Sequence, residues 1–208
     1  MKEKELFPSN SRFAALALAV LLPASLHAVS VKYTSSGTFT PPAGVTSITV
    51  ECWGGGGAGG SARKTAVTGN AGGGGGGAGA YAMKTNVPVT PGTPYTITIP
   101  AEAAGITGTS FANGDRSNGA DVTFTNNAGV GVTAKGGQGG ACAVATNSTS
   151  VSGAGGAGGA VTAGADASFA GGSGWQNTSL GNSGSGGNGA SDTQAGPNRS
   201  SQNNGGGA

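Results

Sequence analysis

Short stretches of the chain alternate between apolar and polar residues, which is the pattern of a half-buried β-strand. Across residues 45–53, Ile48, Val50 and Cys52 fall on one face, and the residues between them fall on the other. Residues 95–99 read Tyr-Thr-Ile-Thr-Ile and repeat the alternation with β-branched and aromatic side chains, which strands favour. We predict a strand at each place, with the apolar face turned toward a core.

Proline, glycine and asparagine separate these stretches and indicate turns. The remaining predicted strands are 38–40, 81–89, 121–125 and 130–134. The predicted turns are Pro-Pro-Ala-Gly at 41–44, Thr-Pro-Gly-Thr at 90–93 and Asn-Asn-Ala-Gly at 126–129. The sequence therefore predicts an all-β body of short strands.

The N-terminus has a different pattern. Residues 13–22 (FAALALAVLL) are apolar without interruption, follow a basic stretch, and lead to small residues around Ala28. This order is typical of a secretory signal peptide, and a buried amphipathic helix is the alternative. The run is shorter than the ~20 residues that cross a membrane. We predict a signal-peptide helix over 1–28, cleavage near Ala28, and a secreted, periplasmic or cell-surface protein.

Glycine changes the picture after residue 28. All 45 glycines lie there, so they make up a quarter of the remaining 180 residues, against an ordinary share of about 7%. Gly153, Gly156 and Gly159 recur at intervals of three, which keeps one bare side of an extended three-residue-per-turn helix toward a neighbour. We predict that 54–60 and 72–80 are ordered, against each other or against the strands; flexible linkers are the alternative.

The predicted organisation has three parts: a signal peptide at 1–28, a glycine-rich β domain at 29–180, and a glycine-rich stretch at 181–208. The last part carries no large apolar side chain. It is expected to be a low-complexity tail or the start of an unfinished domain, because no core can form there on its own.

Charge and residue types exclude several classes of function. The formal net charge is +2 and the basic residues after position 28 are scattered, whereas nucleic-acid binding needs a concentrated basic surface. The single histidine, His27, leaves with the signal, and the remaining carboxylates are dispersed. We therefore expect no enzyme, no metal and no cofactor. The loop 113–120 near Asp115 and Asp121 is interpreted as a solvated turn rather than a cation site.

The motif G-x-G-x-x-G occurs within 54–60 after a predicted strand. A dinucleotide site also requires that the motif open a helix. Because so glycine-rich a sequence matches the motif by chance, nucleotide binding is not expected.

Two cysteines and two tryptophans are the remaining candidates. Cys52 and Cys142 form an even count in an exported chain, which predicts either a disulfide or two buried thiols. Trp53 is expected to pack over bare glycine backbone. Trp175 lies in a polar setting and is either a ligand contact or a packing residue.

Three stretches carry a resemblance to a known family. TFTPPAGVTSITVECWGGGGAGG, GGGGGGAGAYAMKTNVPVTPGTPYTITI and VTAKGGQGG resemble the bacterial and phage glycine-rich domain, over roughly residues 31–190. The glycine-rich extracellular domain of the anaplastic lymphoma and leukocyte receptor kinases is similar in style. The resemblance implies a β-sandwich carrying packed polyglycine II helices and no shared activity. In phage adhesins of this kind, loops at the helix tips contact host receptors.

One feature departs from the family. Such domains usually close with an apolar strand of the type I-V-I-x-Y, and this chain stops within a glycine run. We therefore expect a fragment or an open domain with an unpaired sheet edge, which is prone to association.

The sequence as a whole favours an all-β fold, a small β-sandwich with glycine-rich loops or polyglycine II helices behind a signal-peptide helix. The expected function is an exported structural or adhesive protein without catalytic activity. The alternatives are a phage-type receptor-binding adhesin and an accessory domain of a glycan-active secreted enzyme. The expected partner is an unidentified surface glycan or protein, with self-association through an open sheet edge, no nucleic acid, and no membrane span in the mature chain.

Overall fold

The computed structural model describes residues 29–65, 68–146, 149–176, 187–191 and 193–198. The predicted signal peptide lies outside these residues. Eleven strands and no helix occur in the described part of the chain, and within it no helix is long and apolar enough to cross a membrane. The strands are β1 Gly37–Phe39, β2 Ser47–Trp53, β3 Ala62–Lys64, β4 Ala71–Gly72, β5 Tyr81–Pro88, β6 Tyr95–Thr98, β7 Val122–Thr125, β8 Gly131–Ala134, β9 Ala143–Ala145, β10 Val151–Ser152 and β11 Ala167–Phe169.

Two antiparallel sheets contain the strands that the sequence predicts. One has the order β1-β6-β7-β8, and the other has the order β11-β5-β2. The six predicted strands are confirmed, with boundaries shifted by one or two residues. The pattern does not predict β3, β4, β9, β10 and β11, since each has only two or three residues and shows no alternation to read.

Side chains from the two sheets pack against each other in two clusters. In the first, Cys52 and Ala82 of the three-stranded sheet contact Val132 and Ala134 of β8. In the second, the buried side chains are Val87, Val89, Tyr95 and Phe124. The apolar face predicted for β2 and β6 therefore does point into a core.

Each of the three predicted turns contains a left-handed glycine, and the third is Gly129 with φ +77°. Gly44 has φ +84° and Gly92 has φ +75°, a region that other residues rarely adopt. The turn at 126–129 is held by Asn126, whose Oδ1 accepts from the N–H groups of Ala128 and Val130. Its Nδ2 donates to the carbonyl of Pro88, so the buried amide is satisfied.

The glycine-rich stretches form a bundle of extended segments that we call the glycine lattice. In chain order its members are segment 1 (54–60), segment 2 (72–80), segment 3 (117–120), segment 4 (135–142), segment 5 (153–160), segment 6 (171–176) and segment 7 (187–190). Backbone hydrogen bonds join neighbouring segments at every third residue. Segments 1 and 2 are joined by Gly54 to Ala80, Gly57 to Gly77 and Gly60 to Gly74, each with N···O of 2.8 Å. The prediction that these two runs are ordered against each other is confirmed.

Segment 2 lies at the centre of the lattice. It is bonded to segments 1, 4, 5, 6 and 7, and these are bonded to one another in that order. All of its residues are buried. The predicted three-residue spacing in segment 5 is confirmed, because Gly153, Gly156 and Gly159 each donate to a carbonyl of segment 2.

Most lattice positions leave no room for a side chain. A Cβ on Gly76 would lie 2.0 Å from the carbonyl oxygen of Gly57, and one on Gly77 would lie 2.0 Å from that of Ala157. Side chains occur where the segment turns outward, as at Lys135 and Gln138, which are exposed and three residues apart. The sequence pattern of side chain, glycine, glycine thus follows from close backbone packing.

The described part of the predicted tail belongs to this lattice. Gly187 donates to the carbonyl of Gly76 at 2.8 Å, and Gly196 donates to that of Ala170 at 2.8 Å. Backbone groups rather than side chains hold residues 187–190, so the lack of large apolar side chains in 181–208 does not prevent their docking. Residues 181–186, 192 and 199–208 of the predicted tail lie outside the described residues.

Candidate functional site: the loop end of the glycine lattice

Three connecting loops converge at the end of the lattice where segment 1 finishes and segment 2 begins. Loop 61–71 joins these two segments, and loop 143–152 joins segments 4 and 5 at the same end, since Gly74 donates to the carbonyl of Ala141. The short parallel pairs β3–β9 and β4–β10 connect the two loops directly. Together with loop 101–116, they form what we call the loop end.

A small core of its own holds the loop end. Phe111 is buried against Cys142 and Val144, with Ile106 packed beside them. The guanidinium of Arg63 lies 5.5 Å from the centre of the Phe111 ring and donates to the Phe111 carbonyl at 3.3 Å. A cation over an aromatic face is attractive, so loop 101–116 is tied to β3 by both packing and charge.

The outer surface of the loop end is rich in hydroxyl and amide groups. Its exposed polar side chains include Lys64, Thr65, Thr68, Asn70, Thr107, Thr109, Ser110, Asn113, Thr146 and Thr149. Apart from Lys64, which is cationic, these side chains carry no charge and both donate and accept hydrogen bonds. The surface therefore presents mainly uncharged hydrogen-bonding groups to solvent.

The charged candidates are engaged in structural contacts. Asp115 accepts from the N–H of Ala112 at 2.7 Å, and Arg116 donates to the carbonyl of Gly139 at 2.6 Å. Asp121 lies toward the other end of the lattice, where it pairs with Lys135 at 2.6 Å. Asp115 and Asp121 therefore do not converge on one site.

The pKa of Asp121 is lowered from its usual value, chiefly by the hydrogen bond from Lys135 and further by that from the Gly136 N–H. This carboxylate therefore stays ionised at neutral pH. Its hydrogen bonds from Lys135 and Gly136 join segment 4 to the residue before β7. Among the described residues, no group of three or more His, Cys, Asp or Glu side chains is placed to hold a metal ion.

The two cysteines lie in different clusters and are free thiols. Cys52 belongs to the core between the sheets, and Cys142 belongs to the core of the loop end. The Sγ of Cys142 accepts from the Ser61 N–H at 3.2 Å. The structure does not bring the pair together and matches the buried-thiol alternative.

Burial raises the pKa of the Cys52 thiol to about 11. Because the thiolate is the reactive form, we expect a Cys142→Ala variant to react with a thiol reagent at pH 8 only after denaturation. The unreduced wild-type protein is expected to release two thiols in denaturant. No reaction of native Cys142→Ala and two thiols in the denatured wild type would confirm this; no thiol in the denatured wild type would show a bridge instead.

The tryptophans are placed differently from each other. Trp53, expected over glycine backbone, lies against the ring of Tyr81, with centroids 5.1 Å apart, and is 51% exposed. Trp175 is half-buried in segment 6, and its carbonyl accepts from Gly75 at 3.0 Å. Its indole Nε1 is buried without an acceptor among the described residues. The main chain of Trp175 therefore belongs to the lattice, and the role of its side chain as a ligand contact or a packing residue stays a prediction.

The G-x-G-x-x-G motif in segment 1 is occupied by lattice contacts. The N–H groups of Gly54, Gly55 and Gly57 all donate to neighbouring backbone carbonyls, and no helix follows among the described residues. The amides that would cradle a phosphate are therefore engaged elsewhere.

Sequence reasoning missed the loop end as a unit. Its parts are far apart in the chain, and β3 pairs with β9 across about 80 positions, Ala62 opposite Ala143. The available signal was that loops 61–71 and 143–152 each join two glycine runs, which predicts that they turn at a shared end.

Comparison with known proteins gives one match. The sequence profile of the glycine-rich domain matches residues 33–208. No curated protein and no solved structure matches the chain. The matched range contains both antiparallel sheets and every segment of the glycine lattice. The chain therefore belongs to the glycine-rich domain family.

Proposed function

We propose that this chain is an exported, non-catalytic glycine-rich protein of the bacterial and phage type that binds a surface partner through its loop end. In this proposal the two antiparallel sheets form a small β-sandwich, the glycine segments are polyglycine II helices, and the lattice is a stiff stem between the sandwich and the loops. The partner is a glycan or a protein on a cell surface.

The observation that carries the proposal is the convergence of three separate loops on one face. β3 with β9 and β4 with β10 tie two loops together, and Phe111 fastens the third. Loops carried by a rigid scaffold are a common way of building binding surfaces. The exposed hydroxyls of Thr107, Thr109 and Ser110 lie on this fixed surface, where they can reach a ligand.

The assignment of the segments as polyglycine II helices rests on two features. Their hydrogen bonds to neighbouring segments recur every three residues, and the segments are extended although they lie almost entirely outside the β-strands. A three-fold extended helix has no internal hydrogen bonds, so its N–H and C=O groups bond to neighbours. Each segment then needs no apolar core, which suits a chain whose residues after position 28 are a quarter glycine.

Export rests on the ordered basic, apolar and small residues of positions 1–28. Recovery of mature protein with Met1 still attached would contradict this part of the proposal. A phage-type adhesin is the alternative within the same binding class, and genes for tail proteins beside this one would favour it. Activity on a glycan panel would favour the accessory-domain alternative.

Binding is tested with two matched triple variants. The loop-end variant carries Lys64→Ala, Thr109→Ala and Thr146→Ala, all exposed. The control carries Thr49→Ala, Thr96→Ala and Thr98→Ala, which are exposed on the two sheets. Binding to whole cells and to a glycan array is measured for both and for the wild type.

We expect the loop-end variant to bind at least about tenfold more weakly, which is roughly 1.4 kcal/mol, and the control to bind like the wild type. Equal loss in both variants, or wild-type binding by the loop-end variant, would place the contact elsewhere. No binding to any cell or glycan would leave a purely structural role.

A further inference from the structure

Trp53 is an exposed aromatic side chain that the lattice and the sheets leave unexplained. It is 51% exposed, and the other large apolar side chains that are this exposed among the described residues are all valines. Single exposed aliphatic side chains are normal on protein surfaces, whereas an exposed tryptophan offers a broad, flat ring to solvent. Trp53 is therefore a candidate contact for a ligand that has a flat apolar face of its own.

Two further rings hold this indole in place. Trp53, Tyr81 and Phe169 stand opposite one another on β2, β5 and β11, so they share the outer face of the three-stranded sheet. The ring centre of Tyr81 lies 5.1 Å from that of Trp53 and 6.1 Å from that of Phe169. Tyr81 is only 1% exposed, so it supports the indole without offering a ring to a ligand. A ligand that stacks on Trp53 meets a side chain that is already positioned, which lowers the entropy cost of binding.

A carboxylate lies beside the indole on the same strand. Glu51 is two residues before Trp53 on β2, and both are exposed on the outer face. Two residues of a strand span about 7 Å, so the carboxylate can reach the rim of a ring that is stacked on the indole. The two ion pairs among the described residues are made by Asp121 and Asp166, and no described group donates to Glu51. Its oxygens are therefore available to accept hydrogen bonds.

This face lies at the opposite end of the lattice from the loop end. Segment 1 begins immediately after Trp53 and runs from there to the loops. Gly187, the first described residue after 177–186, donates to the carbonyl of Gly76, which is five residues before Tyr81 (81 − 76). At about 3.1 Å per residue of an extended three-fold helix, that carbonyl is roughly 15 Å along segment 2 from the three rings. A ligand on Trp53 is therefore separate from a ligand on the loop end.

We propose that Trp53 and Glu51 form a second binding site, which takes one neutral pyranose ring of a glycan. The apolar face of the sugar stacks on the indole, and a hydroxyl at the rim of the sugar donates to the Glu51 carboxylate. Because one ring and one carboxylate make few contacts, the dissociation constant is expected on the order of 1 mM. A complex this weak is not retained on a washed glycan array, so binding there still reports on the loop end.

The charge of Glu51 and the burial of Tyr81 select the class of ligand. An acidic sugar would bring a second carboxylate beside Glu51, and like charges placed side by side repel each other. A quaternary ammonium group would be attracted to both Glu51 and Trp53, but proteins bind such cations in cages of several aromatic rings. Here only one ring of the pair Trp53 and Tyr81 is open. A neutral sugar needs only one open ring and one acceptor.

The test is a titration of isotope-labelled protein, followed by NMR at its two indole N–H groups, which belong to Trp53 and Trp175. The neutral probes are maltohexaose, cellohexaose and chitohexaose, and the charged probes are hexagalacturonate and choline. The variant Trp53→Phe identifies the Trp53 signal by its loss. Backbone amide signals of β2 follow binding in the variants, and thermal unfolding checks that each variant is folded.

We expect at least one neutral hexasaccharide to shift the Trp53 indole signal and not that of Trp175, at concentrations at which hexagalacturonate and choline shift neither. Trp53→Ala should raise the dissociation constant at least about tenfold, and Trp53→Phe, which keeps a flat ring, should recover part of that loss. Glu51→Gln should lower the preference for the neutral over the acidic oligosaccharide, since the repulsion is removed. The loop-end triple variant should bind the hexasaccharide like the wild type.

Two results with the wild type would overturn the proposal: no shift of the Trp53 signal by any neutral probe at millimolar concentration, or tighter binding of choline than of every sugar. An unchanged dissociation constant in Trp53→Ala, or an equal loss in the loop-end variant, would place the sugar elsewhere and overturn it as well. If Trp53→Ala does not fold, the wild-type shifts together with the behaviour of Trp53→Phe and Glu51→Gln decide between these outcomes.

Discussion

Replacement of Gly76 by alanine is expected to lower the free energy of unfolding by about 3 kcal/mol or more, at the upper end for overpacking in a core. The added Cβ would lie 2.0 Å from the carbonyl oxygen of Gly57 and 2.7 Å from its carbonyl carbon. Both atoms belong to backbone that is fixed by bonds at Gly54 and Gly60. The clash cannot be relieved by a change of rotamer, so the segments must separate. Chemical denaturation followed by circular dichroism measures the change.

The matched control is Gly105→Ala, because its Cβ position has nothing within 4 Å. This change is expected to be neutral or slightly stabilising, since alanine restricts the unfolded chain. If Gly76→Ala were as stable as the wild type and Gly105→Ala, close packing at the centre of the lattice would be contradicted. Equal destabilisation would indicate a general response to lost glycine rather than a local clash.

Replacement of Phe111 by alanine is expected to cost about 3–5 kcal/mol, the usual range for removing a buried phenylalanine. The change empties the core of the loop end, where Phe111 contacts Cys142 and Val144. It also removes the ring beneath the guanidinium of Arg63. Because the sheets have a separate core, the loss should begin at the loop end, and hydrogen exchange should rise first at β3 and β9.

The conservative variant Phe111→Leu keeps an apolar side chain and should lower the free energy of unfolding markedly less. Thr109→Ala, on the exposed surface, should change the free energy of unfolding little. If Phe111→Ala raised exchange equally at β3 and at Tyr95–Thr98 of β6, the loop end would have no core of its own. Wild-type binding to the surface partner by Phe111→Ala would argue that ordered loops are not needed for binding.

The strands of the two antiparallel sheets could be predicted because each signal is local. Alternation over 47–53 and 95–98, and the glycine turns at Gly44 and Gly92, are readable from a few adjacent residues. The faces also followed, since Cys52 and Tyr95 are buried as their positions in the alternation require.

The glycine lattice could be predicted in kind but not in arrangement. The three-residue spacing of Gly153, Gly156 and Gly159 predicts a packed extended helix, but glycine has no side chain to specify its neighbour. Which carbonyl accepts from each amide depends on the whole set of segments. For the same reason residues 187–190 read as a tail, although Gly187 is bonded to Gly76.

The candidate site was the least predictable part. Cys52, Cys142 and Trp175 were singled out because their side chains are chemically distinctive, and the structure places them in separate surroundings. The loop end is built from small polar residues, whose individual types carry little information. It exists because two connections of the lattice meet, which is a property of topology rather than of any motif.

Backbone hydrogen bonds between the glycine segments order the lattice, and amide hydrogen exchange resolved by NMR measures this order. The amides of Gly57, Gly77 and Gly156 each donate across the lattice at 2.8 Å. We expect them to exchange as slowly as the amides of Tyr95–Thr98 in β6. Exchange of the three glycines at the rate of a free peptide, with β6 still protected, would contradict it.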